Sequence, residues 1–155
     1  MSKTFFIRQL PSHFMTPLPK AVDMAFALVR TSDMPQTDII FYREGEKVLF
    51  REWLLGLPVS AQSKCLNYIR LLESMGNDLR RPHADFLRDG IYELRPTSQN
   101  VNYRILYAFI GKQVAIVSHG IAKTAEVPDV EINRAIERVN RYRSNPSVYG
   151  VKYEE

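Results

Sequence analysis

From Ile39 onward the apolar positions follow recognisable periods, whereas residues 1–38, with Pro11, Pro17, Pro19 and Pro35, sustain none. The run Ile39-Ile40-Phe41-Tyr42 reads as a strand ended by Arg43-Glu44-Gly45-Glu46. Phe50, Trp53, Leu54 and Leu57 then fall at i, i+3, i+4 and i+7, one face of a helix that Pro58 stops. A second helix follows, with Ser60 as its N-cap, a stripe of Ala61, Cys65, Ile69, Leu72 and Met75, and Gly76 placed for the C-terminal left-handed turn. Residues 77–89 read as a loop. Three β-rich runs come next, at 91–95, 103–109 and 113–119, the last two joined tightly through Gly111-Lys112. The chain closes on a helix. Pro128 suits its first position, Asp129 and Glu131 suit the positive end of its dipole, and Ile132, Ala135, Ile136, Val139 and Tyr142 form its stripe.

This order, β-α-α-β-β-β-α, predicts an α+β fold in which a small antiparallel sheet carries an N-terminal α-hairpin and a C-terminal helix. Residues 1–38 are expected to form an appendage with at most a short helix over 21–30, since an isolated helix of that length is marginal. Residues 39–145 form the patterned domain and 146–155 a C-terminal tail. Met34, just before the patterned region, is a candidate natural start.

Composition narrows the class further. A chain of 155 residues with 45% hydrophobic content can bury one core, and a net charge of +4 permits a polyanionic partner without requiring one. The single cysteine, Cys65, rules out an internal disulfide and suits a reducing compartment. No apolar run approaches the roughly 18 residues that span a bilayer, and no secretion signal opens the chain, so a cytoplasmic protein is expected. The three histidines, His13, His83 and His119, share no metal-ligand spacing, so neither a metal nor any other cofactor is expected.

Strand alternation puts Arg95 on the face of Ile91 and Glu93, and Arg104 on the face of Leu106 and Ala108. With Tyr92, Leu94, Ile105 and Tyr107 as the core side, both arginines emerge on the solvent side of neighbouring strands. Lys123 approaches the same side where the chain leaves the third strand. Three converging cations suit a phosphodiester, because guanidinium groups clamp phosphate oxygens bidentately and stabilise added transition-state charge. The plainer reading of the same pattern is ion pairing of the arginines with Glu93 or Asp89. Arg80 and Arg81 in the loop, Lys112 in the turn and Arg138 on the last helix are further candidate RNA contacts. Arg134, Arg138 and Arg141 equally make a solvated helix face. His119 is the histidine nearest the proposed site, suited to proton transfer or to a structural place at a strand end.

The segments Glu52-Trp53-Leu54, Leu79-Arg80-Arg81-Pro82, Asp89 to Arg95, Tyr103 to Tyr107 and His119 to Lys123 resemble, in order and interval, the phage-related HigB branch of the RelE toxin superfamily. Pro128, Glu131-Ile132 and Ala135 extend the likeness, which covers about residues 39–143. The resemblance implies a RelE-like fold and the toxin of a type II toxin–antitoxin pair. Such a toxin is an endoribonuclease that cuts mRNA in the ribosomal A site by attack of a ribose 2′-hydroxyl, without metal. It implies Arg95, Arg104 and Lys123 as catalytic residues, and a HigA-like helix-turn-helix antitoxin, mRNA and the ribosome as partners. The chain departs from the pattern at Thr124, where a second basic residue often stands, and in lacking a clear counterpart of the late tyrosine. His119, Tyr142 and Tyr103 are the candidates for the general base. The alternative within the superfamily is a non-enzymatic ParE-like toxin that poisons a protein such as DNA gyrase.

Overall fold

The computed structural model describes residues 36–123 and 125–154; of Lys123 it describes only the backbone. The short helix expected at 21–30 and the proposed start at Met34 lie outside the described residues.

The elements are β1 (Asp38–Glu44), β2 (Lys47–Val48), α1 (Leu49–Leu55), α2 (Val59–Met75), β3 (Ala84–Arg88), β4 (Ile91–Leu94), β5 (Thr97–Ser98), β6 (Val101–Ile110), β7 (Val114–Lys123), α3 (Asp129–Ser144), α4 (Pro146–Tyr149) and β8 (Gly150–Lys152). The sheet is larger than the small antiparallel one expected, and it is mixed. Its strands run β2-β1-β7-β6-β4-β3, with β5 on β6 and β8 on β1. β1 lies parallel to β7, with Ile40 opposite Ile116, while β7, β6, β4 and β3 are antiparallel neighbours. Four elements account for the growth: the two-residue β2 and β5, and the longer β3 and β8. Residues 84–88 are a strand rather than loop, turned onto β4 by Asp89 and Gly90, both at positive φ. Residues 150–152, expected in a tail, pair with β1.

Both faces of the sheet are covered: successive side chains point to opposite sides, and along β6 both sets are buried. Ile39, Phe41, Ile105, Tyr107, Ala115 and Val117 pack with Phe50, Leu54, Ala61, Cys65, Ile69 and Leu72 of α1 and α2. Tyr42, Ile91, Leu106, Ala108 and Ile116 pack with Ile132, Ala135 and Val139 of α3. The face taken as open is therefore the seat of α3. The stripe of α2 is as expected except at its end, where Met75 is 39% exposed. Ser60 is not its cap: the helix begins at Val59, two residues earlier than a Ser60 cap would place it, with Pro58 at the N-cap position and no side-chain cap. Burial of Ile69 and Leu72, worth about 1.5–3 kcal/mol each, outweighs the roughly 1 kcal/mol a cap contributes. Gly76 does take positive φ, with Thr37 packed where a side chain would stand. α3 starts after Pro128 rather than at it, with Asp129 and Glu131 in the first turn.

One irregularity in β7 decides where the site residues point. Leu106 pairs with His119 but Tyr107 pairs with Val117, so Ser118 is an extra residue, a β-bulge. Beyond it the alternation is reset: Ile121 packs on the α3 side, while Gly120 lies under the Trp53 ring of α1.

Candidate nucleic-acid interface

The register of β4 and β6 places Glu93 opposite Leu106 and Leu94 opposite Ile105, which makes Arg95 and Arg104 the next cross-strand positions. The expected shared face is thus present, but neither arginine simply emerges into solvent. Arg104 is 5% exposed and Glu93 3% exposed. Arg95 is half-buried and donates from Nη1 to Glu93 Oε1. Arg104 Nε lies 3.3 Å from Glu93 Oε2 without hydrogen-bond geometry, and each of these buried atoms has no other hydrogen-bond partner. Arg104 Nη1 instead donates to the Tyr103 carbonyl at 2.7 Å. Burial pulls the Arg104 guanidinium below its ordinary value, Glu93 opposes this, and Arg95 and Arg81 push the same way as burial. The ion-pair reading of these residues therefore describes part of their state.

A hollow of about 460 Å³ opens at this corner. α2 contributes Lys64 and Tyr68, the segment before β3 Arg81 and Pro82, the link from β4 to β5 Arg95 and Thr97, and β6 Asn102 and Arg104. Arg81 pairs with Asp85 at 2.6 Å, and that hydrogen bond is the main reason the Asp85 carboxyl sits below its usual range. Four cations thus stand against two carboxylates, Glu93 and Asp85. Crowded like charges in a part-desolvated place favour an anionic visitor. A second hollow of about 560 Å³ shares Arg81 and Arg95 and runs toward the start of α3, past Arg88, Glu126 and Asp129.

Of the proposed catalytic set, Arg95 and Arg104 are together. Lys123 is still within β7, not beyond it, and its backbone pairs with Asn102, which lines the same hollow; its side chain and Thr124 lie outside the described residues. Arg80 is exposed and bonds the Leu79 and Asn77 carbonyls, next to the hollow but not lining it. Lys112 is in the β6–β7 turn, at the end of β6 away from Asn102, about 27 Å along the strand. Arg138 is on α3, its guanidinium 5.8 Å from the centre of the Tyr42 ring.

None of the three base candidates lines the hollow. Tyr103 is buried against Trp53 in the α1–α2 core. Tyr142 packs over Gly150 and helps close the α3 core. His119 is held between two partners: Nδ1 is 2.7 Å from Ser118 Oγ and Nε2 is 2.9 Å from Glu131 Oε1. Burial lowers the His119 pKa and the Glu131 bond only partly offsets it. Ser118 is fully buried, so this serine–histidine–glutamate chain fastens α3 to the sheet rather than presenting a nucleophile. Lys64, Tyr68 and Asn102 were not singled out in sequence. The readable signal was Lys64 and Tyr68 one turn apart, beside the apolar stripe of α2.

Among the described residues, no group of three or more His, Cys, Asp and Glu is placed to hold a metal ion. No helix among them is long and apolar enough to cross a membrane.

A mixed sheet between helices, with arginines gathered at one corner around a buried glutamate, defines a basic α+β protein. Residues 52–140, more than half of the chain, match the model of the family described as Phage derived protein Gp49-like (DUF891), and the chain belongs to that family. This family is related to toxins of the RelE and HigB type, over a shorter span than the likeness in the sequence suggested. No curated protein matches the chain significantly.

Proposed function

We propose that this protein is the toxin of a type II toxin–antitoxin pair, a HigB-like endoribonuclease of the cytoplasm that cuts mRNA on the translating ribosome. The observation that carries the reading is the gathering of Arg81, Arg95 and Arg104 around one hollow that holds fewer carboxylates than cations. A phosphodiester brought there exchanges water for guanidinium donors, and the donors are worth most on the oxygens that gain charge in the transition state. The substrate's own 2′-hydroxyl gives up its proton to solvent as it attacks the adjacent phosphorus, the bond to the 5′-oxygen breaks, that oxygen takes up a proton, and the products are a 2′,3′-cyclic phosphate and a 5′-hydroxyl end. In this scheme Arg95, the more accessible arginine, grips the phosphate, Arg104 neutralises it from beneath, and Lys123 supplies charge or a proton to the leaving oxygen. The reading extends to the partner: a HigA-like helix-turn-helix antitoxin holds the toxin inactive in its own cell.

The commitment of both arginines to Glu93 favours a second reading, a ParE-like toxin that binds DNA gyrase and cuts no RNA. In vitro translation with primer-extension mapping separates the two. Codon-phased cuts that fall about 10²–10³-fold in Arg95→Ala are the expected result. Intact mRNA together with trapped gyrase–DNA complexes would establish the rival.

A further inference from the structure

β7 outruns its parallel neighbour. β1 pairs with it only from Asp38 opposite Val114 to Phe41 opposite Val117, whereas β7 continues to Lys123 with β6 along its other side. In an antiparallel ladder alternate residues turn N–H and C=O away from the partner strand. Past the Ser118 bulge, the side of β7 away from β6 therefore presents backbone donors and acceptors that no strand among the described residues meets. A groove of about 680 Å³ lies against this length. It touches the successive residues Gly120, Ile121 and Ala122, and it takes its walls from both layers, Trp53 of α1 and Glu131 of α3. A cavity bounded by consecutive strand residues and by both layers runs beside the strand, in the plane of the sheet, rather than over one face.

The two walls differ in chemistry. On the α1 side Trp53 is half-buried and Val101 is 39% exposed, an apolar wall that the small Ala122 leaves open. On the α3 side stand Pro128 and two carboxylates. Glu131 gives Oε1 to His119 and Oε2 to Arg134, while Glu126 is exposed and makes no ion pair or hydrogen bond among the described residues. Among the described residues no cationic side chain lines the groove. In a chain of net charge +4 this is a local reversal of sign.

From the open strand edge and its unlike walls we infer that β7 accepts an added strand from a partner protein, an extended segment in which apolar and basic residues alternate. Successive side chains of such a strand face opposite layers. One set rests on Trp53 and Val101, and the other brings lysine or arginine to Glu126 and Glu131. Main-chain bonds along Gly120–Lys123 supply affinity, and the two walls supply specificity. None of Arg81, Arg95 and Arg104 lines the groove, so this surface is separate from the proposed cleavage site.

Trp53, the only tryptophan, lines the groove and reports its occupancy through its emission. The full chain is titrated with a short tryptophan-free peptide alternating valine and lysine, with the same peptide carrying glutamate for lysine, and with the lysine peptide N-methylated at every backbone amide. The lysine peptide is expected to shift the emission and to bind about tenfold more tightly than either of the others. The net charge of the chain favours the acidic peptide, so a preference for lysine is local to the groove. Glu126→Lys, an exposed change that leaves the melting curve in place, erases that preference. Equal binding of lysine and glutamate peptides, undiminished binding of the N-methylated one, or no emission change with any would overturn the inference. An uncleavable 2′-O-methyl RNA that moves the emission as strongly as the lysine peptide would give the groove to nucleic acid, and self-association that the peptide reverses would give the edge to a second copy of this chain. Either result overturns the inference and leaves the reading of the arginines standing.

Discussion

Arg104 Nε and Glu93 Oε2 face each other at 3.3 Å, both buried, in an alignment that forms no hydrogen bond. Such a pair has lost its water and gains from Coulomb attraction alone, so its balance depends on both members being present. Glu93→Gln is therefore expected to destabilise the fold by about 3 kcal/mol, read as a shift of the urea midpoint. Pairing it with Arg104→Gln should recover much of the loss, because the uncompensated cation is then gone. An unchanged midpoint in Glu93→Gln would refute this account of the pair.

Gly120 is needed for space rather than for backbone freedom. A methyl group at that position would overlap the Trp53 indole ring, which also meets Tyr103 edge-on at 6.0 Å. Gly120→Ala should cost about 1–3 kcal/mol and shift the emission of Trp53, the only tryptophan. Trp53→Leu in the same chain should return part of the stability. A Gly120→Ala protein with unaltered emission and melting temperature would show that the indole does not rest there.

The bond from His119 to Glu131 gives stability a definite pH dependence. Burial, the larger influence, holds the His119 pKa below 6.5 against the Glu131 bond, and nearby Arg138 and Arg134 act in the same direction as burial. The unfolded chain then binds a proton at about pH 6.5 that the folded chain refuses, so stability falls as pH drops below that value. Glu131 adds to the trend at lower pH. Burial raises its carboxyl, but the bonds from His119 and Arg134 outweigh burial and hold it below 4.5, so its contribution is lost as pH falls through the folded value. Melting temperatures should decline between about pH 7.5 and 5.5, and His119→Gln should flatten that decline. Equal slopes in the two proteins would contradict it.

The helices and the central strands were legible because their periods are clean: the α2 stripe of Ala61, Cys65, Ile69 and Leu72 is buried as spaced, although α1 ends at Leu55 with Gly56 as its C-cap, short of Leu57 and of the expected stop at Pro58. The missed β3 had a readable mark. Asp89-Gly90 between Phe86-Leu87 and Ile91-Tyr92 is a two-residue hairpin signature, and both residues adopt positive φ. β8 had none, since three residues gain strand form only by docking on β1. For the site, alternation did put Glu93, Arg95 and Arg104 on one face. It could not reveal that α3 covers much of that face, because a strand buried on both sides and one buried on one side differ only in what packs against them. Tyr68 escaped for a related reason: its place at the site depends on a hollow assembled from four distant segments.

The extra residue at Ser118 divides β7 into two lengths with opposite phase. Val114 to Val117 answer to the β1 partner and the packed layers, while His119 to Lys123 are indexed separately against the end of β6 where Asn102 and Arg104 stand. Deletion of Ser118 would make Val117 and His119 successive residues against Tyr107 and Leu106, so both lengths would keep their β6 partners and their faces, while the bulge and the hydroxyl beside His119 would be lost. Deletion of a regularly paired residue such as Ile121 would instead put Ala122 where Ile121 packs on the α3 side. The working end of the strand is thus tuned by the number of residues in it as strictly as by their identity, and loss of the Ile121 codon should be more damaging than loss of Ser118 or than most substitutions nearby.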